Sequence, residues 1–254
     1  MNHMRTGLTS VTFRKKSVDE IIAMAKKAGL TGIEWGGDVH VPAGDVETAA
    51  LTARKTREAG LEVLSYGSYF RGDEGEDFAP VLASAKALGA PVIRVWAGRK
   101  TFEESSPEEI DALAARFREA AEAAKEEGIA LAFEYHRNTA TQTISGALSM
   151  LKAVRDGNMF CYWQPNPDIS HEEQLGEIDA ILPFLQNIHV FCWTGKNERH
   201  LLVEGISRWT DYLNHIREGG KNHDLILEFV LDDSDDAFYQ DARTLQNLLA
   251  DLGL

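Results

Sequence analysis

The feature that most constrains the fold of this chain is an alternation of short apolar runs with longer amphipathic segments. Eight runs have the length and composition of strands, and the segments between them have the spacing of helices with one apolar face. The predicted strands are Arg5–Ser10, Gly32–Trp35, Leu61–Tyr66, Val92–Trp96, Ala130–Tyr135, Met159–Gln164, Ile188–Trp193 and Leu225–Val230. A strand with its following helix takes about 30 residues, the usual length of a βα unit.

The helix boundaries support this division of the chain. Ser17 followed by Glu20 has the spacing of a capping box, and Pro107 stands at the first position of a predicted helix. Glycine recurs where a helix meets the next strand, as at Gly29, because a left-handed residue ends the helix there. Residues 1–254 are therefore predicted to form an α/β fold, a single (β/α)8 TIM barrel with eight parallel strands. An open doubly wound sheet is the alternative, weakened because no GxGxxG motif follows the first strand.

The charge and the apolar pattern limit the partners of the protein. The chain has 26 basic and 40 acidic side chains, a net charge of −14, which disfavours binding to nucleic acid. No apolar run reaches the roughly 18 residues of a membrane span, and the first ten residues lack the apolar stretch of a signal peptide. We therefore expect a cytoplasmic protein with no nucleic-acid or membrane partner. Homo-oligomer formation stays open, because barrels of this type often associate.

Three ionisable residues interrupt apolar strands near their carboxyl ends, where barrel enzymes carry their active sites. They are Glu134, His189 and Glu228, on the fifth, seventh and eighth predicted strands. Burying such a group without a partner costs about 2 kcal/mol or more. Together they could hold Mn²⁺, Mg²⁺, Co²⁺ or Zn²⁺. Taken singly, Glu134 could instead pair with Arg94 or Arg137, and His189 could be a hydrogen-bonded core histidine.

These segments, set in eight repeated units, resemble the xylose isomerase-like barrel superfamily. The runs that carry the resemblance are Phe133-Glu134-Tyr135-His136, Asn187-Ile188-His189-Val190 and Leu227-Glu228-Phe229. The superfamily includes sugar phosphate isomerases and epimerases, ketose 3-epimerases, inosose dehydratase and a DNA repair nuclease. The resemblance covers essentially the whole chain, and its short motifs specify the superfamily better than the substrate.

The resemblance implies a divalent metal site with one ligand from each of strands five to eight. Glu134, His189 and Glu228 match three of these positions, whereas Gln164 stands where the family usually has an acidic residue. The amide oxygen of Gln164 carries no formal charge, so we expect weaker metal binding than in the family.

The resemblance also implies the chemistry. In the isomerase and epimerase branches, the metal polarises a sugar carbonyl and an adjacent hydroxyl while two glutamates remove and return a proton. Glu134 and Glu228 are thereby predicted as catalytic residues, and a sugar isomerase or epimerase is the leading interpretation. A lyase that expels a β-hydroxyl or an aglycone is an alternative, and so is a sugar-binding barrel with reduced catalysis. A DNA repair nuclease is disfavoured by the net charge and the few histidines.

Aromatic and polar side chains near the strand ends are candidate substrate contacts, because rings stack on sugar C–H faces and polar groups bind hydroxyls. The candidates are Trp35, His40, Tyr66, Arg94, Trp96, His136 and Arg199, followed in rank by Glu34, Asp38, Tyr69 and Arg71. Core packing or a tight turn is the alternative role for many of them.

Two basic residues after the seventh strand, Lys196 and Arg199, could bind a phosphate or a carboxylate. Asp232 and Asp233 follow the eighth strand and oppose an anion there. We therefore expect an unphosphorylated sugar or polyol as the substrate.

Overall fold

The predicted (β/α)8 barrel is confirmed in a computed structural model, which describes residues 4–195 and 198–254. Eight parallel strands close in the order β1-β10-β7-β6-β5-β4-β3-β2. These strands are β1 Arg5–Thr9, β2 Gly32–Gly36, β3 Glu62–Gly67, β4 Val92–Val95, β5 Ala130–Phe133, β6 Met159–Trp163, β7 Leu185–Val190 and β10 Asp224–Leu227. Two further short strands, β8 Cys192–Thr194 and β9 Glu198–His200, pair with each other in antiparallel orientation.

Helices separate the barrel strands and cover the outside of the barrel. They are α1 Val18–Lys27, α2 Val46–Glu58, α3 Ala79–Leu88, α4 Pro107–Glu126, α5 Ile144–Val154, α6 His171–Ile181, α7 Ile206–Glu218 and α8 Asp235–Leu252. The predicted capping box is present, since Ser17 accepts from the backbone N–H of Glu20 and the Glu20 side chain accepts from Ser17. Among the described residues, no helix has the length and apolar character needed to cross a bilayer.

The seventh predicted strand differs from the observed one. The expected strand Ile188–Trp193 is divided, because β7 ends at Val190 and Cys192–Thr194 pairs with Glu198–His200 instead. Both stretches are rich in β-branched and aromatic residues, so local composition alone could not show where the barrel strand stops.

A small apolar layer fills the lower part of the barrel, and the polar site lies directly above it. This layer comprises Leu64, Val92, Ala132, Tyr162 and Ile226. Side chains two positions apart on a strand point to the same face. Val92, Ala132, Tyr162 and Ile226 are each followed two residues later by a polar side chain: Arg94, Glu134, Gln164 and Glu228. The strand period therefore carries these four groups into the barrel mouth.

A buried carboxylate outside this site makes the stability of the fold depend on pH. Glu177 on α6 is 6% exposed, and its Oε2 lacks a hydrogen-bond partner among the described residues. Burial raises the pKa of Glu177 to about 7. The folded protein therefore binds this proton more tightly than an unfolded chain, where a glutamate has a pKa of about 4.3. This contribution to stability is complete below the unfolded pKa and is lost as the pH rises through 7.

Between pH 4 and pH 8, we expect the difference in stability to shift by about 3 kcal/mol in favour of Glu177→Gln over the wild type. Urea denaturation of both proteins at the two pH values measures the effect. Glu172→Gln, on an exposed residue of the same helix, is the control and should leave the pH dependence unchanged. Identical pH dependence in the wild type and Glu177→Gln would contradict this assignment.

Candidate active site

The carboxyl ends of the barrel strands open into a cavity of about 550 Å³. Its walls contain Val11, Arg14, Tyr69, Arg94, Trp96, Glu134, Tyr135, His136, Arg137, Asn138, Gln142, Gln164, Pro165, Asn166, Pro167, Asp168, Phe191, Trp193, Glu228 and Phe229. A cavity of this volume is within the usual range for small-molecule sites.

The structure brings Glu134, His189 and Glu228 together at the base of this cavity. Each offers one ligand atom, and these atoms all lie within 4.8 Å of one another. His189 Nδ1 lies 3.4 Å from Glu134 Oε1 and 3.5 Å from Glu228 Oε2. Two ligands bound to one ion at about 2.1 Å lie about 3.0–3.4 Å apart in octahedral or tetrahedral geometry. The observed separations are therefore close to those of neighbouring ligands around a divalent metal.

Gln164 adds a fourth ligand atom. Its Nε2 donates to the backbone oxygen of Tyr135 at 2.6 Å, which orients Oε1 towards His189 Nδ1 at 2.9 Å. The hydrogen bond to Tyr135 thus turns the amide oxygen, and not the amide nitrogen, into the site.

Glu34 lies on the opposite side of the imidazole. Its Oε1 is 3.1 Å from His189 Nε2, and its Oε2 accepts from the Ser65 hydroxyl at 2.7 Å. Burial alone would raise the pKa of Glu34, but the charges of His189 and Arg94 and the hydrogen bonds from His189 and Ser65 lower it to about 2. An ionised carboxylate only accepts hydrogen bonds, so Nε2 of His189 carries a proton.

Several hydrogen-bond acceptor atoms face one another in this site, so a positive charge is needed between them. With the proton of a neutral His189 on Nε2, its Nδ1 is an acceptor that faces acceptor oxygens of Gln164, Glu134 and Glu228. Either a cation or a second proton on the ring must offset their repulsion. In line with this, burial lowers the pKa of His189 but the carboxylates of Glu228 and Glu34 raise it well above its usual range. The donor set therefore fits a divalent cation.

Glu134 and Glu228 have different surroundings. Oε2 of Glu134 accepts from both Arg94 Nη1 and Trp96 Nε1. Burial raises the pKa of Glu134, but the Arg94 charge together with the hydrogen bond and charge of His189 holds the pKa well below the usual range. The pKa of Glu228 is raised to about 7, chiefly by burial. The charge of His189 lowers this pKa, and the negative charge of Glu134 raises it. Of the two carboxylates, Glu228 is therefore better placed to exchange a proton.

The backbone fixes Glu228 at the end of β10. Its N–H donates to the oxygen of Val190 at 3.0 Å. Phe229 then takes a left-handed conformation, with φ of 43°, and donates its N–H to Thr12 Oγ1 at 3.0 Å. Left-handed backbone is unfavourable for a phenylalanine, so the hydroxyl of Thr12 helps to hold this bend.

Aromatic rings form part of the cavity wall, and two of them, Trp96 and His136, are among the predicted contacts. The rings of Trp96 and His136 have centroids 4.4 Å apart, with their planes tilted by 31°. Phe191 and Trp193 stack with centroids 4.2 Å apart. Trp96 and His136 therefore lie where a substrate could contact them, and so does Arg94, although its guanidinium is already held by Glu134.

Three predicted substrate contacts lie away from the cavity. Trp35 is fully buried and donates Nε1–H to Thr56 of α2, and the Tyr66 hydroxyl donates to the backbone oxygen of Val41. His40 is 4% exposed, and its Nε2 contacts the backbone oxygen of Lys16. These side chains are part of the packing between the barrel and its outer layer, and this placement argues against contact with a substrate.

Arg199 lies at the edge of the site and does not line the cavity. Its guanidinium is 5.1 Å from the Phe229 ring centroid and pairs with Asp233 at 2.5 Å. Lys196, the other predicted phosphate contact, lies outside the described residues.

Two arginines of the cavity wall were not among the predicted contacts. Arg14 follows the 3₁₀ turn after β1, donates Nε–H to Asp38 at 2.5 Å and donates from Nη2 to the Tyr69 hydroxyl at 2.7 Å. Arg137 follows β5 and pairs with Asp168 at 2.7 Å. Their position in loops after barrel strands is the one sequence signal that points to them.

The fold is a closed (β/α)8 barrel, and a histidine and two glutamates converge at its mouth. The protein is therefore a (β/α)8 barrel with a candidate metal site. The model of the family described as "Xylose isomerase-like TIM barrel" matches residues 22–248. The chain belongs to this family, which confirms the resemblance found in its sequence.

Individual relatives are distant. The chain is 22% identical to the 3-dehydroshikimate dehydratase of Bacillus anthracis, over 96% of this chain and 97% of the relative. The solved structure of the probable 3-DHS dehydratase of Bacillus anthracis has a TM-score of 0.81 and 20% identity, covering 96% of this chain and 99% of the other. D-allulose 3-epimerase from Methylomonas sp. has a TM-score of 0.74 and 16% identity, covering 98% and 99%. At these identities the likeness shows the fold.

Proposed function

We propose that this protein is a divalent-metal-dependent enzyme that removes a proton from the carbon next to a carbonyl group of a hydroxylated small molecule. The observation that carries the proposal is the convergence of ligand atoms from Glu134, His189 and Glu228 within 4.8 Å at the base of the cavity. When bound, a divalent cation polarises a substrate carbonyl, which makes the neighbouring C–H more acidic. Glu228 acts as the base that takes this proton.

Elimination of a β-substituent is the outcome that the surroundings of the two glutamates favour. An epimerase that works through two carboxylates needs both to accept and return a proton. One oxygen of Glu134 is engaged by Arg94 and Trp96, which leaves Glu228 as the better proton acceptor. In the elimination, Glu228 takes the proton, the electron pair forms a C=C bond next to the carbonyl, and the β C–O bond breaks. The leaving oxygen takes up a proton and departs as water or an alcohol.

Isomerisation or epimerisation of a sugar is the second candidate. It is supported by the structural similarity to D-allulose 3-epimerase, at a TM-score of 0.74. Both reactions begin with the same proton abstraction, so they share the base and the metal ligands and differ in whether a C–O bond breaks.

The charges of the cavity wall favour an uncharged substrate. Arg14 is paired with Asp38 at 2.5 Å and Arg137 with Asp168 at 2.7 Å. Arg94, the third arginine of the wall, is hydrogen-bonded to a glutamate. A phosphate needs guanidinium groups with spare positive charge, which these pairs do not supply. A sugar or polyol without a phosphate is therefore the proposed substrate class.

Incubation with Mn²⁺ and candidate keto-sugars in deuterated water tests this function, with NMR and ultraviolet absorbance as readouts. The proposal expects loss of the β-substituent and a conjugated unsaturated carbonyl product. Incorporation of deuterium with formation of an epimer or isomer would instead support the second candidate. Absence of exchange across uncharged keto-sugars and 3-keto-glycosides would contradict proton abstraction by this site.

We expect Gln164→Asp to bind Mn²⁺ at least about tenfold more tightly than the wild type does. A carboxylate adds a negative charge and suits Mn²⁺ better than a neutral amide. Isothermal titration calorimetry on metal-free protein measures the change. Gln164→Asn, which shortens the side chain equally without adding charge, is the matched control and should bind more weakly than the wild type. Equal affinity of Gln164→Asp and Gln164→Asn would contradict a metal ligand at this position.

A further inference from the structure

Glu34 is a buried carboxylate that contacts His189 from behind the proposed metal site. It comes from β2, is fully buried and is not part of the cavity wall. A substrate in the cavity therefore cannot reach it, so any influence of Glu34 on the reaction must pass through the side chains that it touches.

Within residues 4–195 and 198–254, Glu34 has polar contacts with three side chains. Its Oε1 lies 3.1 Å from His189 Nε2 and 3.6 Å from Arg94 Nε, and its Oε2 accepts from Ser65 Oγ at 2.7 Å. The shorter contact of Oε1 is the one to the imidazole, and Arg94 Nε has no hydrogen-bond partner among the described residues. The hydrogen bond to His189 is therefore the main interaction of Oε1, and the Arg94 charge supports it from a longer distance.

This hydrogen bond decides which nitrogen of His189 can bind a metal. Histidine binds a metal through a nitrogen that carries no proton. Because the carboxylate accepts hydrogen bonds only, it holds the ring proton on Nε2. That leaves Nδ1, the nitrogen that faces Glu134, Gln164 and Glu228.

We infer that Glu34 is a positioning residue. It holds the His189 ring in its orientation and keeps the ring proton on Nε2, so that the cation binds at Nδ1. The inference rests on the proposed metal-dependent function, and it assigns to Glu34 a role that the cavity wall alone does not reveal. Carboxylates that hydrogen-bond a metal-binding histidine typically change metal affinity or activity 10- to 100-fold when replaced.

Isothermal titration of metal-free protein with Mn²⁺ tests the inference. Glu34→Gln keeps the shape of the side chain but can donate as well as accept, and we expect its affinity to fall about 10- to 100-fold. Glu62→Gln removes one carboxylate from an exposed position near Arg5 and is the matched control. Its affinity should change less than about threefold, because water and salt screen an exposed charge. If Glu34→Gln does not fold, Glu34→Asp, which shortens the reach of the carboxylate, should weaken binding in the same direction.

A spectroscopic readout separates positioning from a general structural role. In Zn²⁺-loaded wild-type protein labelled with ¹⁵N-histidine, His189 should have Nδ1 bound to zinc and a protonated Nε2. Zinc at Nε2, or Mn²⁺ affinity of a folded Glu34→Gln equal to that of the wild type, would overturn this inference and leave the proposed function standing. Failure of the wild-type protein to bind Mn²⁺ at all would overturn the proposed function itself.

Discussion

Replacing Glu228 by glutamine is expected to lower kcat/KM by about 10²- to 10⁴-fold, the contribution that a positioned general base usually makes. Glutamine has nearly the same shape but cannot take up the substrate proton. Glu228 is 6% exposed and lines the cavity, so its carboxylate can reach a bound substrate. Steady-state kinetics on the substrate identified by deuterium exchange measures the effect.

The glutamine variant should keep its fold, because Glu228 is held by its backbone hydrogen bond to Val190. Unchanged circular dichroism would show this. Gln142→Glu, on another residue of the cavity wall, is a control that changes one charge without removing the proposed base. Activity of Glu228→Gln within threefold of the wild type would rule out Glu228 as the base.

Replacing Arg94 by methionine is expected to lower the free energy of unfolding by about 3–5 kcal/mol, as for other buried ion pairs that lose one partner. Arg94 is 2% exposed and lies among buried carboxylates. Burial alone would lower its pKa, but the charges of Glu134, Glu34 and Glu228 raise it, so the guanidinium stays charged. Methionine fills much of the same volume and leaves those negative charges without their buried counterion.

Urea denaturation of metal-free protein at pH 7 measures this loss. Arg54→Met removes an exposed arginine whose Nε lies 3.8 Å from Glu58, and it should cost less than about 1 kcal/mol. If Arg94→Met and Arg54→Met were equally stable, the buried carboxylates around Arg94 would not need its charge as a counterion. Added Mn²⁺ should restore part of the stability of Arg94→Met, since a ligand that binds the folded state stabilises it.

Much of the barrel could be predicted because its strands and its helices have different apolar patterns in the sequence. Each of the eight predicted strands overlaps a barrel strand, since buried parallel strands are short apolar runs that are easily told from amphipathic helices. The convergence of Glu134, His189 and Glu228 followed from the same pattern, because parallel strands bring their carboxyl ends to one face. Their roles in binding and catalysis stay predictions.

The predicted substrate contacts on β2 and β3 show that the composition of a strand end does not reveal which side chains point into the barrel. Adjacent residues on a strand point to opposite faces. Glu34 points into the barrel, so its neighbour Trp35 points outwards to the helices. In β3 the register shifts at Leu64, so Leu64 and Ser65 both face the barrel interior and Tyr66 points outwards. Attention to this alternation would have placed Trp35 on the outer face and given Glu34 a higher rank, whereas the irregularity of β3 hides the orientation of Tyr66.

Arg14 and Arg137 could not be predicted because loops lack a repeating pattern. Their orientation depends on partners that are distant in the sequence, such as Asp38 for Arg14 and Asp168 for Arg137. Only the closure of the barrel brings these loops together around one cavity.

The most direct test of the account is the anomalous scattering of manganese in crystals grown with Mn²⁺. We expect one strong peak at the base of the cavity, from an ion bound by Glu134, His189 Nδ1 and Glu228, with the amide oxygen of Gln164 completing the protein ligands. Crystals that lack a peak at this position, with His189 hydrogen-bonded directly to the glutamates, would contradict it.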